Sequence, residues 1–376
     1  MICTPPSLSL PAGSVFIEDV DEEIFLLYTR KLQIASVGAD SGADVSDSAL
    51  GYLSGKDGVL PVSLTITNPE QRGRADTHTS FSKARRAEAG KERGPKEDEV
   101  VVDVVVHQAL DALRHRKGDT GSVLWRVSLY LARYLLQSHH FPSPSHPPLL
   151  PSLRTSTVLE LGSGTGFLGI ALRSIWGESG RWIFTDQLAN LPLVVRNLRA
   201  NALLPPDPHG SATGKRGAPS PRPPPPNVDV VELDWLAEAA AWDHCPGSVY
   251  ASASPSPSLS GVPPLASSST SAAPLPTPPD VLLAADCIYN PSLATPLAKT
   301  LLRRAGARTL VVVAAELRDD EPLAEFLGAW TALGAEAGWK CARVGWGDGE
   351  DSARAGRIAQ DGCFALWISW REESVV

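Results

Sequence analysis

One stretch of the chain, residues 157–176, constrains the fold more than any other. Residues 157–161 form the short apolar run expected of a buried strand, and Gly162, Gly164 and Gly166 follow at once. Residues 167–176 then have the apolar spacing of an amphipathic helix. A strand that passes through a glycine-rich turn into a helix lets a ligand approach bare backbone at the strand's carboxyl end. The sequence therefore predicts a nucleotide-type crevice at this turn.

The second half of the chain alternates between apolar runs and helical patterns. This alternation favours an α/β fold with an open, mostly parallel sheet and helices on both faces. A hairpin of two late strands closes the pattern. The predicted strands are 157–161, 182–185, 228–233, 280–284, 309–314, 339–346 and 363–370, and the predicted helices are 167–176, 188–202, 292–304 and 319–337.

Residues 1–120 are predicted to be an N-terminal extension to a main domain that spans residues 121–376. The extension contains a loose start and two strands that pair as a small β-element, with Pro61 suggesting an edge position. A helix opens the main domain. The segments are the loose stretch 1–20, a helix at 21–33, strands at 59–67 and 100–107, and the opening helix at 121–137.

Three segments are excluded from the predicted packed core because of their composition. Residues 205–227 and 246–279 are rich in Pro, Ser and Ala, and we treat them as inserts between strands. Residues 68–99 are dense in both charges and are predicted to be a mobile loop. The basic cluster at residues 83–86 could contact RNA, but the interleaved acids favour a solvated loop.

The composition narrows the classes of protein that the chain can belong to. A formal charge of −8 lacks the basic footprint of a nucleic-acid binder, so no direct nucleic-acid binding is expected, whereas an acidic body would suit a basic protein partner. The five cysteines lie far apart without a C-x-x-C pair, which indicates free thiols and no metal site. With neither a secretory signal nor an apolar run long enough for a bilayer, we expect a soluble intracellular protein and no membrane partner.

The frame of the glycines indicates which nucleotide the crevice binds. Residues 164–169 satisfy G-x-G-x-x-G, the dinucleotide fingerprint, but that frame starts two residues after the first glycine of the turn. Read from the strand, the pattern is Glu160-x-Gly162-x-Gly164-x-Gly166, which resembles the first motif of S-adenosylmethionine-dependent methyltransferases more than that of a dehydrogenase. The cofactor has a cationic amino-acid end that Glu160 can favour. The predicted cofactor is therefore S-adenosyl-L-methionine.

Two further candidates follow the next strands. Asp186 ends the second strand of the main domain, where its carboxylate can accept from both ribose hydroxyls, although it could instead cap a helix that begins at Leu188. Asp234 and Trp235 follow the third strand, and the indole face suits the adenine ring. The alternative for Trp235 is an ordinary core tryptophan.

The fourth strand ends in Ala285-Asp286-Cys287-Ile288-Tyr289, and here the resemblance narrows. D-x-x-Y after the fourth strand resembles the lysine-directed branch of the seven-strand methyltransferases. The full set most resembles the fungal ribosomal lysine N-methyltransferase 5 family, over residues 121–203, 228–243 and 280–335, and weakly over 20–33. It comprises Gly121-Ser-Val-Leu-Trp125, Thr185-Asp-Gln187, Leu233-Asp-Trp235, Ala285 to Asn290 and Glu316-Leu-Arg318.

This resemblance implies a fold, a site and a substrate. It implies a Rossmann-like, doubly wound seven-strand sheet, a protein substrate of the large ribosomal subunit, a cytoplasmic or nuclear location and a monomer. Relatives often have an Asp directly after the upstream tryptophan, where this chain has Arg126. Asp286 and Tyr289 would line the acceptor-lysine channel, and the cofactor would be lined by Trp125, Glu160, Gly162, Ser163, Gly164, Gly166, Asp186, Trp235 and Ala285.

In this hypothesis Asp286 orients the acceptor amine and Tyr289 forms an aromatic wall. The simpler alternative is that Asp286 caps the following segment and Tyr289 packs. Other acceptors remain open, namely another protein, a small molecule or RNA, although no N-P-P-Y motif supports nucleobase methylation. A non-catalytic scaffold is also open, but the intact glycine turn and Asp186 count against it.

Overall fold

The computed structural model describes most of the predicted elements and leaves several predictions untouched. The charged loop with its basic cluster, most of both inserts, Cys3, Cys363 and Trp346 lie outside the described residues. The described residues are 8, 10–38, 51–68, 99–115, 120–143, 147–150, 152–177, 179–206, 227–250, 277–345 and 364–371.

A mixed sheet forms the centre of the molecule. Its strands are β1 (Val15–Phe16), β4 (Thr157–Leu161), β5 (Arg181–Asp186), β6 (Asn227–Glu232), β7 (Val281–Ala285), β8 (Leu310–Glu316), β9 (Trp339–Arg343) and β10 (Phe364–Arg371). Within the described residues the order is β1-β9-β10-β8-β7-β4-β5-β6, and the five strands from β8 to β6 are parallel to one another. The predicted α/β class and the antiparallel closing hairpin are confirmed. The short edge strand β1, which pairs with β9, is added to the seven predicted strands.

Helices cover both faces of this sheet, as the doubly wound prediction requires. They are α1 (Val20–Gly38), α2 (Leu110–His115), α3 (Arg126–His140), α4 (Phe167–Ala171), α5 (Arg173–Trp176), α6 (Leu191–Ala200), α7 (Trp235–His244), α8 (Pro291–Arg304) and α9 (Asp320–Glu336). Helices α3 to α6 pack on one face, and α1 and α7 to α9 pack on the other. Within the part of the chain that the structure describes, no helix is long and apolar enough to cross a membrane.

The central strands are apolar on both sides because both sides are covered. In β4, Val158 belongs to one core cluster and Leu159 to the other; in β7, Leu283 and Leu282 divide in the same way. All four side chains are at most 1% exposed. A strand buried on both faces reads as a continuous apolar run, which explains why these strands could be predicted.

The N-terminal β-element packs on the main domain. Strands β2 (Val59–Thr67) and β3 (Glu99–His107) pair antiparallel, as predicted, and place Leu64, Ile66 and Val104 in the core beside α3. The outer edge of β3 is bonded by two asparagine side chains of α6 rather than by a strand. Asn197 bonds the backbone of His107, and Asn201 bonds that of Val105. The division of the chain at residue 120 stays a prediction.

Several predicted boundaries were wrong. The helix predicted at 121–137 begins only at Arg126, because residue 125 has an extended backbone, with φ −92° and ψ 146°. The helix predicted at 167–176 is divided at Leu172, and α6 is shorter than predicted at both ends. Helix α7 was missed; it begins where the Asp234 carboxylate accepts from the backbone N–H of Leu236 and Ala237.

The asparagine contacts of β3 generate a stability prediction. Asn197 is fully buried, and its amide donates to Thr165 O as well as to His107 O. Asn197→Ala leaves these groups without partners, so the free energy of unfolding should fall by about 2–3 kcal/mol in urea titration. The more exposed Asn201→Ala is the control and should cost less than about 1 kcal/mol. Equal losses in the two variants would contradict this account.

Candidate active site

A crevice opens where four neighbouring parallel strands, β7, β4, β5 and β6, reach their carboxyl ends. The chain leaves β4 toward β5 on one side and later returns to β7 on the other, so the crevice lies at the topological switch point of the sheet. Most of the predicted site residues share its wall: Trp125, Gly162, Ser163, Gly164, Asp186, Trp235, Ala285, Asp286 and Tyr289. Glu160 and Gly166 are not part of it.

The glycine turn can form only with glycines, and it leaves backbone exposed to the crevice. Gly162, Gly164 and Gly166 have φ of +60°, +54° and +72°, in the left-handed region. A Cβ on Gly162 would lie 2.9 Å from Cys287 Sγ and 3.1 Å from the indole of Trp235. A side chain on Gly162 would therefore crowd Cys287 and Trp235, and without one the backbone of the turn forms part of the crevice wall.

Asp186 ties the glycine turn to the neighbouring strand β5. Its Oδ2 accepts from Gly164 N at 2.7 Å, and its Oδ1 accepts from Gln187 N at 2.8 Å and Asn190 Nδ2 at 2.9 Å. Helix α6 begins at Leu191, so the alternative that Asp186 caps a helix starting at Leu188 is wrong. Because Oδ1 already accepts two hydrogen bonds, a ribose hydroxyl would have to bind at Oδ2. The ribose role stays a prediction.

Glu160 lies elsewhere than the sequence predicted, and this is a correction. Its carboxylate is buried in the core, where Oε2 accepts from the Trp182 indole at 2.7 Å. Burial raises the pKa of Glu160 to about 8, against the opposing effect of hydrogen bonds from Trp182 and from the Gly169 backbone. Glu160 therefore supports the turn from beneath and does not face a cationic ligand. Gly166 likewise lies against Val194 and Phe184 rather than on the crevice wall.

Trp235 forms part of the crevice wall and is only half-buried. Its indole borders Gly162, so the alternative of an ordinary core tryptophan does not describe it. Asp234, which precedes it, is the N-cap of α7 and fixes the direction in which the helix leaves β6. The adenine role of Trp235 stays a prediction, and the position of the ring suits it.

The opposite end of the crevice contains a feature that sequence reasoning missed. Asp286 has a left-handed backbone, with φ +60°, and its carboxylate is 2% exposed. Arg318 donates two parallel hydrogen bonds to this carboxylate, from Nη1 to Oδ1 at 2.8 Å and from Nη2 to Oδ2 at 2.6 Å. The guanidinium also lies over the Trp125 ring, 4.8 Å from its centroid. A charged residue two positions after the end of the buried strand β8 was the available signal.

Two more charges extend this pair. Arg318 Nη2 donates to Glu316 Oε2 at 2.8 Å, and Arg126 forms an ion pair with the other oxygen of Glu316. Arg126, where relatives often have an Asp, thus pairs with an acid from β8. Asn290, not Asp286, caps the following helix α8, so the capping alternative for Asp286 is wrong. Tyr289 is half-buried on the crevice wall.

A short N-terminal segment, residues 51–57, packs against the residues behind this end of the crevice. Tyr52 forms a β-bridge with Trp125, and the two rings meet edge to face with centroids 6.0 Å apart. Gly51 O accepts from Arg126 N at 3.0 Å. A Cβ on Gly51 would overlap Glu316 and Arg318, so only glycine fits there. Sequence reasoning gave this segment no role, because its contacts lie far away along the chain.

Comparison with known proteins finds a matching family model and a curated relative. The model of a lysine methyltransferase family matches residues 106–207. The chain is also 28% identical over 229 residues to a diaminohydroxyphosphoribosylamino-pyrimidine deaminase of Schizosaccharomyces pombe, covering 60% of this chain and 41% of that protein. The chain thus spans about two fifths of that relative's length.

Solved methyltransferase structures resemble the chain at low identity. The mitomycin 7-O-methyltransferase MmcR is 10% identical, with a TM-score of 0.38, and the match covers 70% of this chain and 60% of that one. Aeropyrum pernix fibrillarin with bound S-adenosyl-L-methionine is 12% identical, with a TM-score of 0.34, over 71% of this chain and 89% of that one.

The strand order, the glycine turn at the switch point and the family-model match define the class. The fold is the Rossmann-like fold of S-adenosylmethionine-dependent methyltransferases, and the predicted cofactor, S-adenosylmethionine, is confirmed. The crevice fits this cofactor because its wall combines the backbone of the glycine turn with the carboxylate of Asp186 and the indole of Trp235.

The buried carboxyl of Glu160 predicts a pH-dependent stability. Since its folded pKa of about 8 lies above the unfolded value of 4.5, the folded state binds a proton that the unfolded state has lost between these pH values. Stability should therefore fall as pH rises through this window, by up to about 1.4 kcal/mol per pH unit. Urea titrations of wild type and Glu160→Gln should diverge with rising pH, the variant losing less. Parallel curves would show that Glu160 does not titrate in this way.

The position of Asp186 predicts a binding defect. Asp186→Asn keeps the shape of the side chain but weakens its acceptor oxygens, so affinity for S-adenosylmethionine should fall about tenfold or more by calorimetry. Asp229→Asn, on the neighbouring strand β6 and outside the crevice wall, is the control and should bind normally. If both variants bind as wild type does, Asp186 has no part in holding the cofactor.

Proposed function

We propose that the chain is an S-adenosyl-L-methionine-dependent protein-lysine N-methyltransferase. The observation that carries this proposal is the wall at one end of the cofactor crevice, where a buried acid, Asp286, lies beside two aromatic residues, Trp125 and Tyr289. An acid and aromatic rings suit a lysine side chain, which has an apolar stem and a polar amine. The match of residues 106–207 to a lysine methyltransferase family supports the same acceptor.

The bound cofactor would supply a methyl group on a positively charged sulfur. The chain's own residues would then bind and orient the two reactants and exclude water from them. Such a displacement depends mainly on positioning. In this proposal the exposed backbone of Gly162 and Gly164, together with Ser163 and Ala285, lies along the cofactor. Asp186 accepts from the ribose hydroxyls, and the indole of Trp235 packs on the adenine.

Asp286 and Tyr289 would receive the acceptor. Oδ1 of Asp286 accepts from both Arg318 and the backbone N–H of Glu316, so Oδ2, which accepts from Arg318, is the oxygen that would take an amine N–H. Tyr289 and Trp125 would form aromatic walls that keep water away from the amine. Asp286 is thus assigned the orientation of the acceptor nitrogen, which must arrive without its extra proton because an ammonium has no lone pair.

We further propose that the substrate is a protein of the large ribosomal subunit. The support is the resemblance to the ribosomal lysine methyltransferases and the formal charge of −8, which suits a basic protein partner. This assignment carries with it a cytoplasmic or nuclear location and a monomeric enzyme without direct nucleic-acid binding.

The acceptor can be tested with the purified chain and S-adenosylmethionine that is labelled in its methyl group. The test mixture contains separated proteins of both ribosomal subunits and ribosomal RNA. We expect the label in one large-subunit protein, on a lysine. Label in RNA alone or in a small-subunit protein would contradict the substrate assignment, and cofactor binding without any transfer would favour a non-catalytic scaffold.

The role of Asp286 predicts a selective loss of turnover. Asp286→Ala removes the acceptor of the amine N–H, so kcat should fall by about a hundredfold or more, while the Kd for S-adenosylmethionine changes by less than about threefold. Asp243→Ala, which removes a surface acid paired with Lys299, is the control and should retain full turnover. Unchanged kcat in Asp286→Ala would remove Asp286 from the proposed site.

A further inference from the structure

Four side chains at the acceptor end of the crevice form a chain of alternating charge, which we call the ion chain: Arg126, Glu316, Arg318 and Asp286. Each neighbouring pair is in contact. Two positive and two negative groups give the ion chain no net formal charge. Its last member is the acid that the proposed function assigns to the acceptor amine.

Arg318 is the member that connects the ion chain to the crevice. It does not lie on the crevice wall itself, but its guanidinium holds two residues that do, the carboxylate of Asp286 and the indole of Trp125. The paired hydrogen bonds and the aromatic face fix the plane of the guanidinium. Arg318 therefore contacts the crevice through Asp286 and Trp125 and does not itself line the acceptor space.

The pairing of Asp286 matters because of the charge state that an acceptor lysine needs. A lysine side chain has a reference pKa of about 10.4 and is protonated at neutral pH. A buried, unpaired carboxylate beside it would favour the ammonium form further and raise its pKa. A guanidinium paired with the same carboxylate offsets this attraction. The pKa of the acceptor lysine is then raised less, and more of it is present as the free amine.

The other charged groups near Asp286 leave this balance intact. Asp186 lies across the crevice and is bonded by the glycine turn, and Glu160 is buried against Trp182. Burial raises the pKa of the Cys287 thiol well above its usual value, so this neighbour is uncharged. On the outer side, Lys31 of α1 donates to Leu317 O, and Asp319 caps α9.

The N-terminal segment holds the ion chain in place. Gly51 O accepts from the backbone N–H of Arg126, and there is no space for a side chain between Gly51, Glu316 and Arg318. Tyr52 packs edge to face on the Trp125 ring that Arg318 covers. The guanidinium is thereby confined between the segment and the crevice wall.

From these contacts, and resting on the proposed lysine methylation, we infer that Arg318 is a positioning residue that neutralises Asp286 so that the acceptor lysine reacts as the free amine. The ammonium gives its proton to water, and the electron pair stays on the nitrogen. Asp286 then accepts a hydrogen bond from the neutral amine without holding it as a cation.

The test is the pH dependence of methyl transfer, measured with the full chain, labelled S-adenosylmethionine and the proteins of the large ribosomal subunit as the probe. In Arg318→Gln the carboxylate of Asp286 loses its paired positive charge. The pH profile of kcat should therefore move to higher pH by about one unit. Turnover should then be about tenfold below wild type at pH values below the pKa of the acceptor lysine, and the two rates should meet only above the shifted pKa.

Two further variants separate charge from structure. Arg318→Lys restores the positive charge without the planar fork, and it should recover most of the wild-type profile. The double variant Asp286→Asn with Arg318→Gln has no net charge, and its profile should show no shift relative to wild type, whatever its maximum rate. Calorimetry with S-adenosylmethionine and thermal unfolding check that each variant is folded and binds the cofactor.

A lower maximum rate with no shift in the midpoint of the pH profile, and without recovery in Arg318→Lys, would overturn this inference and leave Arg318 a structural residue. That outcome leaves the proposed function standing, because wild type still labels a lysine. An absence of labelled lysine with wild type, by contrast, would overturn the proposed function and this inference together.

Discussion

The crevice is built around the hydrogen bond from the backbone N–H of Gly164 to the carboxylate of Asp186, which acts beside the bonds between Ser163 and Thr185. It joins the turn after β4 to the end of β5, the two strands between which the floor of the crevice lies. The turn itself needs three left-handed residues in a row of five, which only glycine adopts without strain. With the turn held in this way, bare backbone faces the space that the cofactor would occupy.

The same sheet edge separates two chemical tasks. Around β4, β5 and β6 the crevice offers backbone, a bonded carboxylate and an indole, which suit a nucleoside. At the end of β7 it offers Asp286, the last member of the ion chain, together with aromatic walls, which suit an amine. The left-handed backbone of Asp286 lies at the boundary between them, and Arg318 supports it there. Strain at this residue is consistent with a position set by function rather than by folding.

Much of the fold could be predicted because it follows local rules. Buried parallel strands such as β4 and β7 are continuous apolar runs, and the frame of the glycines relative to β4 distinguishes the cofactor class. The adjacent helix α7 was missed although Asp234 is a good N-cap, because short alanine-rich helices have little apolar periodicity. The strand β1 exists only through its pairing with β9, so no local signal predicts it.

The details of the site were harder to predict because they depend on partners distant in sequence. The direction of Glu160 is decided by Trp182, and the state of Asp286 by Arg318. Neither pair of residues is separated by a fixed number of residues that a sequence motif could reveal. The motif placed both acids correctly at strand ends, but an acid at a strand end can face either the crevice or the core.

The most direct measurement of the central claim is mass spectrometry of large-subunit ribosomal proteins after incubation with the chain and S-adenosylmethionine that contains a deuterated methyl group. The account predicts a deuterated methyl on the side-chain nitrogen of one lysine, present with wild type and lost with Asp286→Ala. A deuterated methyl on a nucleotide, or on an amino acid other than lysine, would contradict it.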